Sequence, residues 1–248
     1  RGISHSTYKK LLNNKLIAHT NKKNIFSFLY WRDEELINFK LRSCDDQKIF
    51  SQQPDGEKIL FNINSVKGKK KAVLVEGEMS AIACIEAGLD EEYAILSLEN
   101  GAQREGSVDG KLRGLKNCYE QLIGVESWVI ALDNDQAGVY TASEIIKYIG
   151  EHRCKIVTYP DGCKDPDDII NRNKRGQYAG YENNVVLFNT IDRAVDYPVK
   201  GIIELNESVK ALLLQYKKHG RPPAIKIPML DGQFSFKRGD LTIVSGYA

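Results

Sequence analysis

Two short stretches decide the fold: Val73-Leu74-Val75-Glu76-Gly77-Glu78-Met79-Ser80 and Val129-Ile130-Ala131-Leu132-Asp133-Asn134-Asp135-Gln136-Ala137-Gly138. Each starts as an apolar run typical of a strand buried on both faces, and each continues with helix-like spacing. The acids Glu76, Asp133 and Asp135 therefore follow the carboxyl ends of strands, which is where open α/β sheets bind ligands. Carboxylates placed there are suited to hold Mg²⁺ against phosphate.

A third acidic cluster follows the strand-like stretch 154–159 and reads Lys164-Asp165-Pro166-Asp167-Asp168. For any one cluster alone, turn formation or helix capping by Asp and Asn is an equally good interpretation. The spacing of all three clusters favours a shared metal site. Its candidate ligands are Glu76, Asp133, Asp135, Asp165 and Asp167.

The formal net charge of +2 conceals a strong asymmetry along the 248 residues. Residues 1–75 hold 15 Lys and Arg against 7 Asp and Glu, whereas residues 76–173 hold 9 against 19. Residues 174–248 hold 11 against 7. An acidic segment needs divalent cations before it can approach a polyanion, while a basic one binds phosphates directly. This arrangement suits an enzyme that acts on nucleotides or nucleic acid, although a chance distribution of surface charge is the alternative.

Composition excludes several classes of protein. The chain has 42% hydrophobic residues and no apolar run near the roughly 20 residues of a membrane span, so no membrane partner is expected. Its five cysteines form no CxxC pair, which argues against a zinc ribbon and for reduced thiols in a cytosolic setting. It begins without Met and stops in a loop-like Ser245-Gly246-Tyr247-Ala248, so we expect a piece of a longer protein.

The amino-terminal 66 residues show the period-two pattern of strands. Residues 26–30 and 37–41 alternate around a polar turn and predict a hairpin, and further strands are expected at 48–51 and 58–63. Lys40 and Arg42 are two residues apart and therefore share one strand face, opposite the apolar positions. The pattern predicts a cationic stripe on a small antiparallel sheet, with an ordinary solvent-exposed face as the alternative.

From residue 71 strands alternate with helices. The expected strands are 72–75, 93–98, 128–132 and 154–159, and the expected helices are 79–87, 112–123, 137–149 and 166–173. This rhythm predicts a doubly wound, mostly parallel α/β sheet.

Residues 174–200 lose periodicity and are interpreted as loop and linker. An amphipathic helix is expected at 202–218 and a strand running into a glycine loop near 241–246, which lacks the GK[ST] of a Walker A loop.

These motifs, together with Ser97-Leu98-Glu99-Asn100-Gly101-Ala102, resemble the TOPRIM fold of bacterial-type primases and topoisomerases. The whole chain resembles the primase part of a phage-type primase–helicase, the group that includes mitochondrial Twinkle. The resemblance implies a basic amino-terminal primase subdomain (1–70), a TOPRIM domain (71–174), a linker with an amphipathic helix (175–224) and the start of a ring helicase (225–248). In that family the basic subdomain has a Lys-x-Arg strand, matched by Lys40-Leu41-Arg42, and ends near Leu-Phe-Gly, matched loosely by Leu60-Phe61-Asn62.

Carried over residue by residue, the resemblance implies a general base or metal-proximal acid at Glu76 and magnesium ligands at Asp133 and Asp135. Asp165 and Asp167 match positions that help to hold a second ion. The positions that match contacts to nucleoside triphosphate or template are Lys40, Arg42 and Lys48. Ser80 stands where many primases have an Asp, and the zinc-binding module of many relatives is missing from these residues, so no zinc is expected.

The resemblance implies a DNA primase, a nucleotidyltransferase that makes short RNA primers on single-stranded DNA by two-metal phosphoryl transfer. Mg²⁺ is the expected cofactor, with Mn²⁺ as the alternative. Expected partners are single-stranded DNA, ribonucleoside triphosphates and further copies of the chain in a hexameric ring formed through the 202–218 helix. The expected compartment is the cytoplasm of a phage-infected host, or else the mitochondrial matrix. Helicase activity is not expected from these residues. Two alternatives stay open: a silent TOPRIM module that binds single-stranded DNA for a helicase, and a TOPRIM nuclease.

Overall fold

The computed structural model describes residues 2–22, 24–43, 50–99, 108–172 and 180–199, together with 211, 212 and 214. The chain divides into two units, Arg1–Pro198 and Val199–Ala248. Everything described below lies in the first unit unless stated otherwise. None of the helices among these residues is long and apolar enough to cross a membrane.

An antiparallel sheet forms the amino-terminal part of the first unit, after helix α1 (His5–Asn13). Its strands, in spatial order, are β1 (Ile17–His19), β2 (Ile25–Arg32), β3 (Glu35–Ser43) and β4 (Phe50–Gln52). The predicted hairpin is confirmed as β2 and β3, which pair through a turn where Asp33 takes a left-handed φ of 55°. An Asp tolerates that conformation better than most residues, and the tight turn needs it.

A second sheet of five strands follows and confirms the predicted doubly wound, parallel-rich fold. Its strands are β5 (Lys71–Val75), β6 (Ala94–Ser97), β7 (Ser127–Ala131), β8 (Cys154–Ile156) and β9 (Val195–Asp196). The spatial order is β6-β5-β7-β8-β9, in which only β9 runs antiparallel to its neighbour. The connecting helices are α2 (Glu78–Glu86), α3 (Val108–Asn117), α4 (Tyr119–Leu122), α5 (Gln136–Ile149), α6 (Pro166–Asn171) and α7 (Gly180–Asp192).

The apolar runs that predicted the strands are the centre of the core. Residues 72–75 of β5 are completely buried, and residues 128–131 of β7 are buried to within a few per cent. Because parallel strands are covered by helices on both faces, every side chain in these runs packs rather than alternating with solvent. Because these buried runs determine where the strands end, they also determine where the acids that follow the strands lie.

Three segments differ from the sequence expectations. Helix α1 was not predicted. Residues 58–63 do not join the small sheet, since the structure shows only one bridge there, from Phe61 to Ser97 at the edge of β6. The interpretation of 174–200 as loop and linker was wrong, because α7 and β9 lie within it. In α7, Leu187 and Ile191 are fully buried four residues apart, a helical signal that the polar, Asn-rich start of the segment outweighed in the sequence.

Several expectations lie outside the described residues. These are Lys48, the glycine-loop tail from 225 onward and most of the helix expected at 202–218. In the second unit, residues 211, 212 and 214 are helical, and Leu212 and Leu214 are exposed. The domain boundaries expected from the sequence remain predictions.

Candidate functional site

The candidate site lies at the carboxyl ends of β5, β7 and β8. Parallel pairing places Val75 beside Ala131, so that Glu76 and Asp133 follow neighbouring strand ends. The third acidic cluster joins them because the amide of Asn134 donates a hydrogen bond of 2.9 Å to the carbonyl of Lys164. This bond ties the loop after β7 to the loop that carries Asp165. The structure therefore brings Glu76, Asp133 and Asp165 to one edge of the sheet.

Asp133 is the electrostatic centre of this group. Burial raises its pKa from 3.8 to about 7, and the negative charges of Glu76 and Asp165 contribute to the shift. Burial also raises the pKa of Asp165. Lys164 is the cation that opposes the effect, but its ammonium lies 3.7 Å from Asp133 Oδ2 and more than half of its side chain is exposed. Among the described residues, the site therefore concentrates negative charge that Lys164 offsets only in part.

Asp135 and Asp165 also cap helices, which was the alternative interpretation of these motifs. One carboxylate oxygen of Asp135 accepts from the amide of Gly138 at 2.8 Å, and one of Asp165 accepts from the amide of Asp168 at 2.7 Å. Each bond engages Oδ1, and a carboxylate has a second oxygen that can bind a ligand. Capping therefore orients these two side chains and leaves one oxygen of each able to bind a ligand at the site.

Asp167 is oriented in a different way. It lies in the first turn of α6, and its Oδ1 accepts a hydrogen bond of 2.8 Å from the side chain of Asn171, one helical turn later. The structure thus places all five predicted acids around one edge of the sheet, where the charges of Glu76, Asp165 and Asp135 all raise the pKa of Asp133.

Gly138 fixes the position of Asp133 from the helix side. A Cβ atom at this glycine would overlap the carbonyl oxygen of Asp133, so the first turn of α5 approaches the loop backbone more closely than any other residue type permits. The glycine stood in the quoted motif, but no sequence pattern assigned it to the site. Only the close approach of the two backbones reveals its role.

Tyr159 is a site residue that the sequence analysis missed. Its hydroxyl is buried and has no hydrogen-bond partner among the described residues. Burial raises its pKa well above the ordinary value, and the charges of Cys84, Asp165, Asp133 and Glu76 raise it further, so the hydroxyl lies within electrostatic range of the three acids. Its place five residues beyond Cys154, where β8 begins, was the signal that could have pointed to it.

The basic sheet meets the second sheet through Lys40. Its ammonium lies 2.7 Å from Oε1 of Glu78 and donates to the carbonyl of Glu99 at 3.0 Å. The same Glu78 oxygen accepts a hydrogen bond of 2.5 Å from the hydroxyl of Tyr30, which is fully buried. Burial and the charge of Glu78 raise the pKa of that hydroxyl. The predicted cationic face thus points toward helix α2 rather than into open solvent.

A second set of bonds supports the same junction. Oε1 of Glu99 lies 2.5 Å from the ammonium of Lys58 and accepts from the side chain of Gln52 at 2.8 Å. Glu78 and Glu99 are both more than nine-tenths buried. Buried carboxylates need such partners, because an unpaired charge in the interior is costly. The network therefore holds β3 and β4 against the segment that carries Glu76.

Arg42 and Lys48 are the two other basic positions predicted for the site. Arg42 lies on the same strand face as Lys40, opposite Phe26 of β2, whereas Lys48 lies outside the described residues. Ser80, at the position where the resemblance implies an Asp in many primases, is buried in the first turn of α2. At the end of the Leu60-Phe61-Asn62 match, Asn62 has a left-handed φ of 60°, the conformation that a glycine supplies most readily.

The residues present suit a divalent cation by the chemistry of their donors. Hard carboxylate oxygens are what Mg²⁺ and Mn²⁺ prefer, and a half-buried Asp133 with its pKa of about 7 gains from a neighbouring positive charge. Across the described ranges, however, no three acidic, His or Cys side chains already stand in a metal-coordinating arrangement. The carboxylates thus lie near one another, and their side chains would have to move closer together to coordinate an ion.

Comparison with known proteins agrees with this geometry. Residues 73–170 match the model of the Toprim-like family. The chain is 27% identical over 262 residues to a Twinkle homolog protein, chloroplastic/mitochondrial, of Arabidopsis thaliana, with 99% of this chain and 35% of the relative covered. It is 28% identical over 173 residues to a primase homolog protein of the same plant, with 66% and 49% covered. The chain therefore spans between a third and a half of these relatives' length.

Solved structures show the same fold. The primase fragment of the bacteriophage T7 primase–helicase superposes with a TM-score of 0.58 at 21% identity, over 75% of this chain and 69% of that one. A second match comes from a structure of the bacteriophage T7 lagging-strand DNA polymerase interacting with primase domains of two gp4 subunits, bound to an RNA/DNA hybrid and dTTP. Its TM-score is 0.61 at 21% identity, over 79% of this chain and 90% of that one. The predicted resemblance to a Twinkle-like TOPRIM primase domain is confirmed.

Proposed function

We propose that this chain is the primer-synthesising part of a DNA replication protein, a primase that joins ribonucleotides on a single-stranded DNA template. The observation that carries the proposal is the convergence of Glu76, Asp133 and Asp165 at one sheet edge, with the pKa of Asp133 raised to about 7. Within a Toprim-like domain, such a cluster is suited to phosphoryl transfer between nucleotides.

The carboxylates would hold the metal ions of this reaction. Glu76, Asp133 and Asp165 have the central positions, and Asp135 and Asp167 would contribute from the starts of α5 and α6. Bound Mg²⁺ or Mn²⁺ would supply positive charge to the phosphate being transferred and to the pyrophosphate that leaves.

The chain's own residues would perform the remaining tasks. Glu76 would accept the proton of the attacking 3′ hydroxyl, directly or through water. The buried hydroxyl of Tyr159 would donate a hydrogen bond to a phosphate oxygen, which gives that hydroxyl the partner it lacks among the described residues. Arg42 and Lys48 would bind triphosphate or template. Lys40 would add its third N–H donor to these contacts, since an ammonium has three and Glu78 and Glu99 take two.

The larger assembly is part of the same proposal. Single-stranded DNA and ribonucleoside triphosphates are the proposed partners, and a homo-oligomeric ring would form through the helix expected at 202–218. Leu212 and Leu214 are exposed in the short helical part that is described, which leaves them able to pack on a neighbouring copy. The proposed compartment is an organelle or a phage-infected host cytoplasm.

One observation favours a second candidate, a TOPRIM module that binds single-stranded DNA without synthesising primers. Ser80 is buried where a further carboxylate is expected, so the metal site has one ligand fewer. The retained group of Glu76, Asp133 and Asp165 nevertheless favours synthesis over binding alone.

A primer-synthesis assay separates these functions. The full-length protein is incubated with single-stranded DNA, labelled ribonucleotides and Mg²⁺, beside Glu76→Gln and a matched control, Glu91→Gln, at an exposed position remote from the site. Short labelled RNA from the wild type and from Glu91→Gln, but not from Glu76→Gln, supports the primase. DNA binding without RNA from the wild type supports the binding module, and shortened DNA supports a nuclease.

A further inference from the structure

Lys164 lies in the loop that follows β8, and its ammonium is 3.7 Å from Oδ2 of Asp133 in the acidic cluster. We propose that this ammonium is a displaceable counter-ion, which competes with a divalent metal ion for Asp133 and so sets the metal concentration at which the site fills. The inference rests on the proposed function, since it concerns the regulation of the same acidic cluster. It gives a role to a residue that has none in the proposed reaction.

The backbone of Lys164 is held beside the cluster from two sides. Its carbonyl accepts a hydrogen bond of 2.9 Å from the amide of Asn134, which lies between Asp133 and Asp135. Its amide donates a hydrogen bond of 3.1 Å to Oδ2 of Asp168. Because the main chain is fixed at this point, the side chain starts beside the acids whether or not its ammonium contacts them.

The side chain of Lys164, by contrast, is loosely held. The N–O distance of 3.7 Å to Asp133 is too long for a hydrogen bond, and 58% of the side chain is exposed. Exposed ion pairs contribute little to stability, because water and salt screen them and because holding a long side chain in one place costs entropy. The ammonium can therefore leave Asp133 at little cost.

The ion pair of Lys40 with Glu78 shows the features of a permanent pair in the same protein. Its N–O distance is 2.7 Å, and the two side chains are only 15% and 5% exposed. The ammonium of Lys40 also donates to the carbonyl of Glu99. A short, buried pair with a second acceptor is suited to hold two segments together, whereas the long, exposed pair of Lys164 is suited to exchange.

The acids of the cluster attract the ammonium of Lys164 electrostatically. The charge of Asp133 raises the pKa of Lys164, and Asp165 and Asp168 raise it further, although partial burial lowers it. In return, Lys164 lowers the pKa of Asp133, which burial and the neighbouring acids raise. The ammonium therefore supplies part of the positive charge that the cluster favours.

Two cations at one carboxylate repel each other. A divalent ion has twice the charge of an ammonium and accepts several carboxylate oxygens at once. The ammonium of Lys164 would therefore move out into solvent when such an ion binds Asp133, and breaking the ion pair would weaken metal binding. Removing this ammonium should thus tighten metal binding, whereas removing a ligand or a residue that positions one would weaken it.

Titration with Mn²⁺, followed by electron paramagnetic resonance, measures the competition without reference to primer synthesis. The full chain is compared with Lys164→Met, which removes the charge, and with Lys164→Arg, which keeps it. Lys164→Gln removes the charge with a polar side chain and decides the test if Lys164→Met does not fold. Lys70→Met is the matched control, because it takes the same charge from an exposed pair with Glu126 before β5, at the opposite edge of the sheet from the acids.

Lys164→Met should bind Mn²⁺ about threefold more tightly than the wild type, in keeping with the loss of one exposed ion pair. Lys164→Arg and Lys70→Met should bind it as the wild type does. In an Asp133→Asn background, Lys164→Met should change the affinity less, because the acid for which the two cations compete is gone. Unchanged or weaker binding by Lys164→Met overturns the proposal, as does equal tightening by Lys70→Met.

The same titration separates this proposal from the proposed reaction. A wild type that makes primers, but whose Mn²⁺ affinity does not respond to Lys164→Met, overturns the competition alone. An affinity that responds as expected, in a protein that makes no primers, supports the competition and overturns primer synthesis alone.

Discussion

The ammonium of Lys40 lies 2.7 Å from a carboxylate oxygen of Glu78, and this ion pair joins the basic sheet to the first turn of helix α2. Glu78 follows Glu76 by two residues, so the pair holds the loop that carries a candidate catalytic acid. A cation that the sequence assigned to nucleotide or template thus has a structural role as well.

Breaking this pair should destabilise the protein. We expect Lys40→Met to lower the free energy of unfolding by about 3–5 kcal/mol, because it leaves Glu78 buried without its cation. Chemical denaturation measures the change. Lys70→Met is the control, since its pair with Glu126 is exposed and should contribute little. Equal stability of Lys40→Met and Lys70→Met would show that the ion pair does not hold the junction.

Tyr159→Phe should separate activity from stability. The lost hydroxyl has no hydrogen-bond partner among the described residues, so removing it should leave the unfolding temperature unchanged or slightly raised. Primer synthesis should fall about tenfold or more if that hydroxyl contacts the transferred phosphate. Tyr148→Phe makes the same change at an exposed position of α5 and should alter neither quantity. Full activity of Tyr159→Phe would remove this residue from the mechanism.

Stability should depend on pH through Asp133. Its folded-state pKa, about 7, lies above the ordinary 3.8, so the folded state binds the proton more tightly than the unfolded state. Its favourable contribution is therefore complete below pH 4 and is lost as the pH rises through 7, at about 1.4 kcal/mol for each pH unit between the two pKa values. In EDTA, Asp133→Asn should be more stable than the wild type at pH 8, and the difference should shrink toward pH 5. Thermal unfolding measures both, and a difference that does not change with pH would contradict this assignment.

Gly138→Ala tests the close approach of two backbones. The added methyl group would overlap the carbonyl of Asp133, so the loop or the helix must shift, at a cost of about 1–3 kcal/mol. Primer synthesis should fall with the displacement of Asp133. Gly124→Ala is the matched control, because a Cβ atom there meets nothing within 4 Å. If both variants are equally stable and active, Gly138 does not position the acid.

The parallel sheet and the acidic edge could be predicted because both depend on local patterns. Continuous buried apolar runs such as 72–75 and 128–131 indicate strands of a parallel sheet. Acids that follow such runs must lie at the carboxyl edge of that sheet. The segment 58–63 has the same local appearance, but its backbone bridges to β6 instead of the small sheet. Pairing partners depend on long-range contacts that no local pattern encodes.

The orientation of the basic strand could not be predicted for the same reason. Lys40 and Arg42 share one face of β3, as their spacing requires. The two-residue alternation does not indicate which face of the strand is buried. That choice depends on Glu78 and Glu99, which lie far along the chain and accept the ammonium of Lys40. Tyr159 was missed because its place beyond the start of β8, taken alone, does not show that its hydroxyl lies within electrostatic range of Asp133 and Asp165.

Direct measurement of Mn²⁺ binding by electron paramagnetic resonance tests most sharply whether the acids of three strand ends form one metal site. Mn²⁺ accepts the same oxygen ligands as Mg²⁺. The wild type and Glu91→Gln should bind Mn²⁺ alike, and Asp133→Asn should bind it at least tenfold more weakly. Equal binding by the wild type and Asp133→Asn would contradict the account, because the metal would then lie away from the residue at the centre of the acidic cluster.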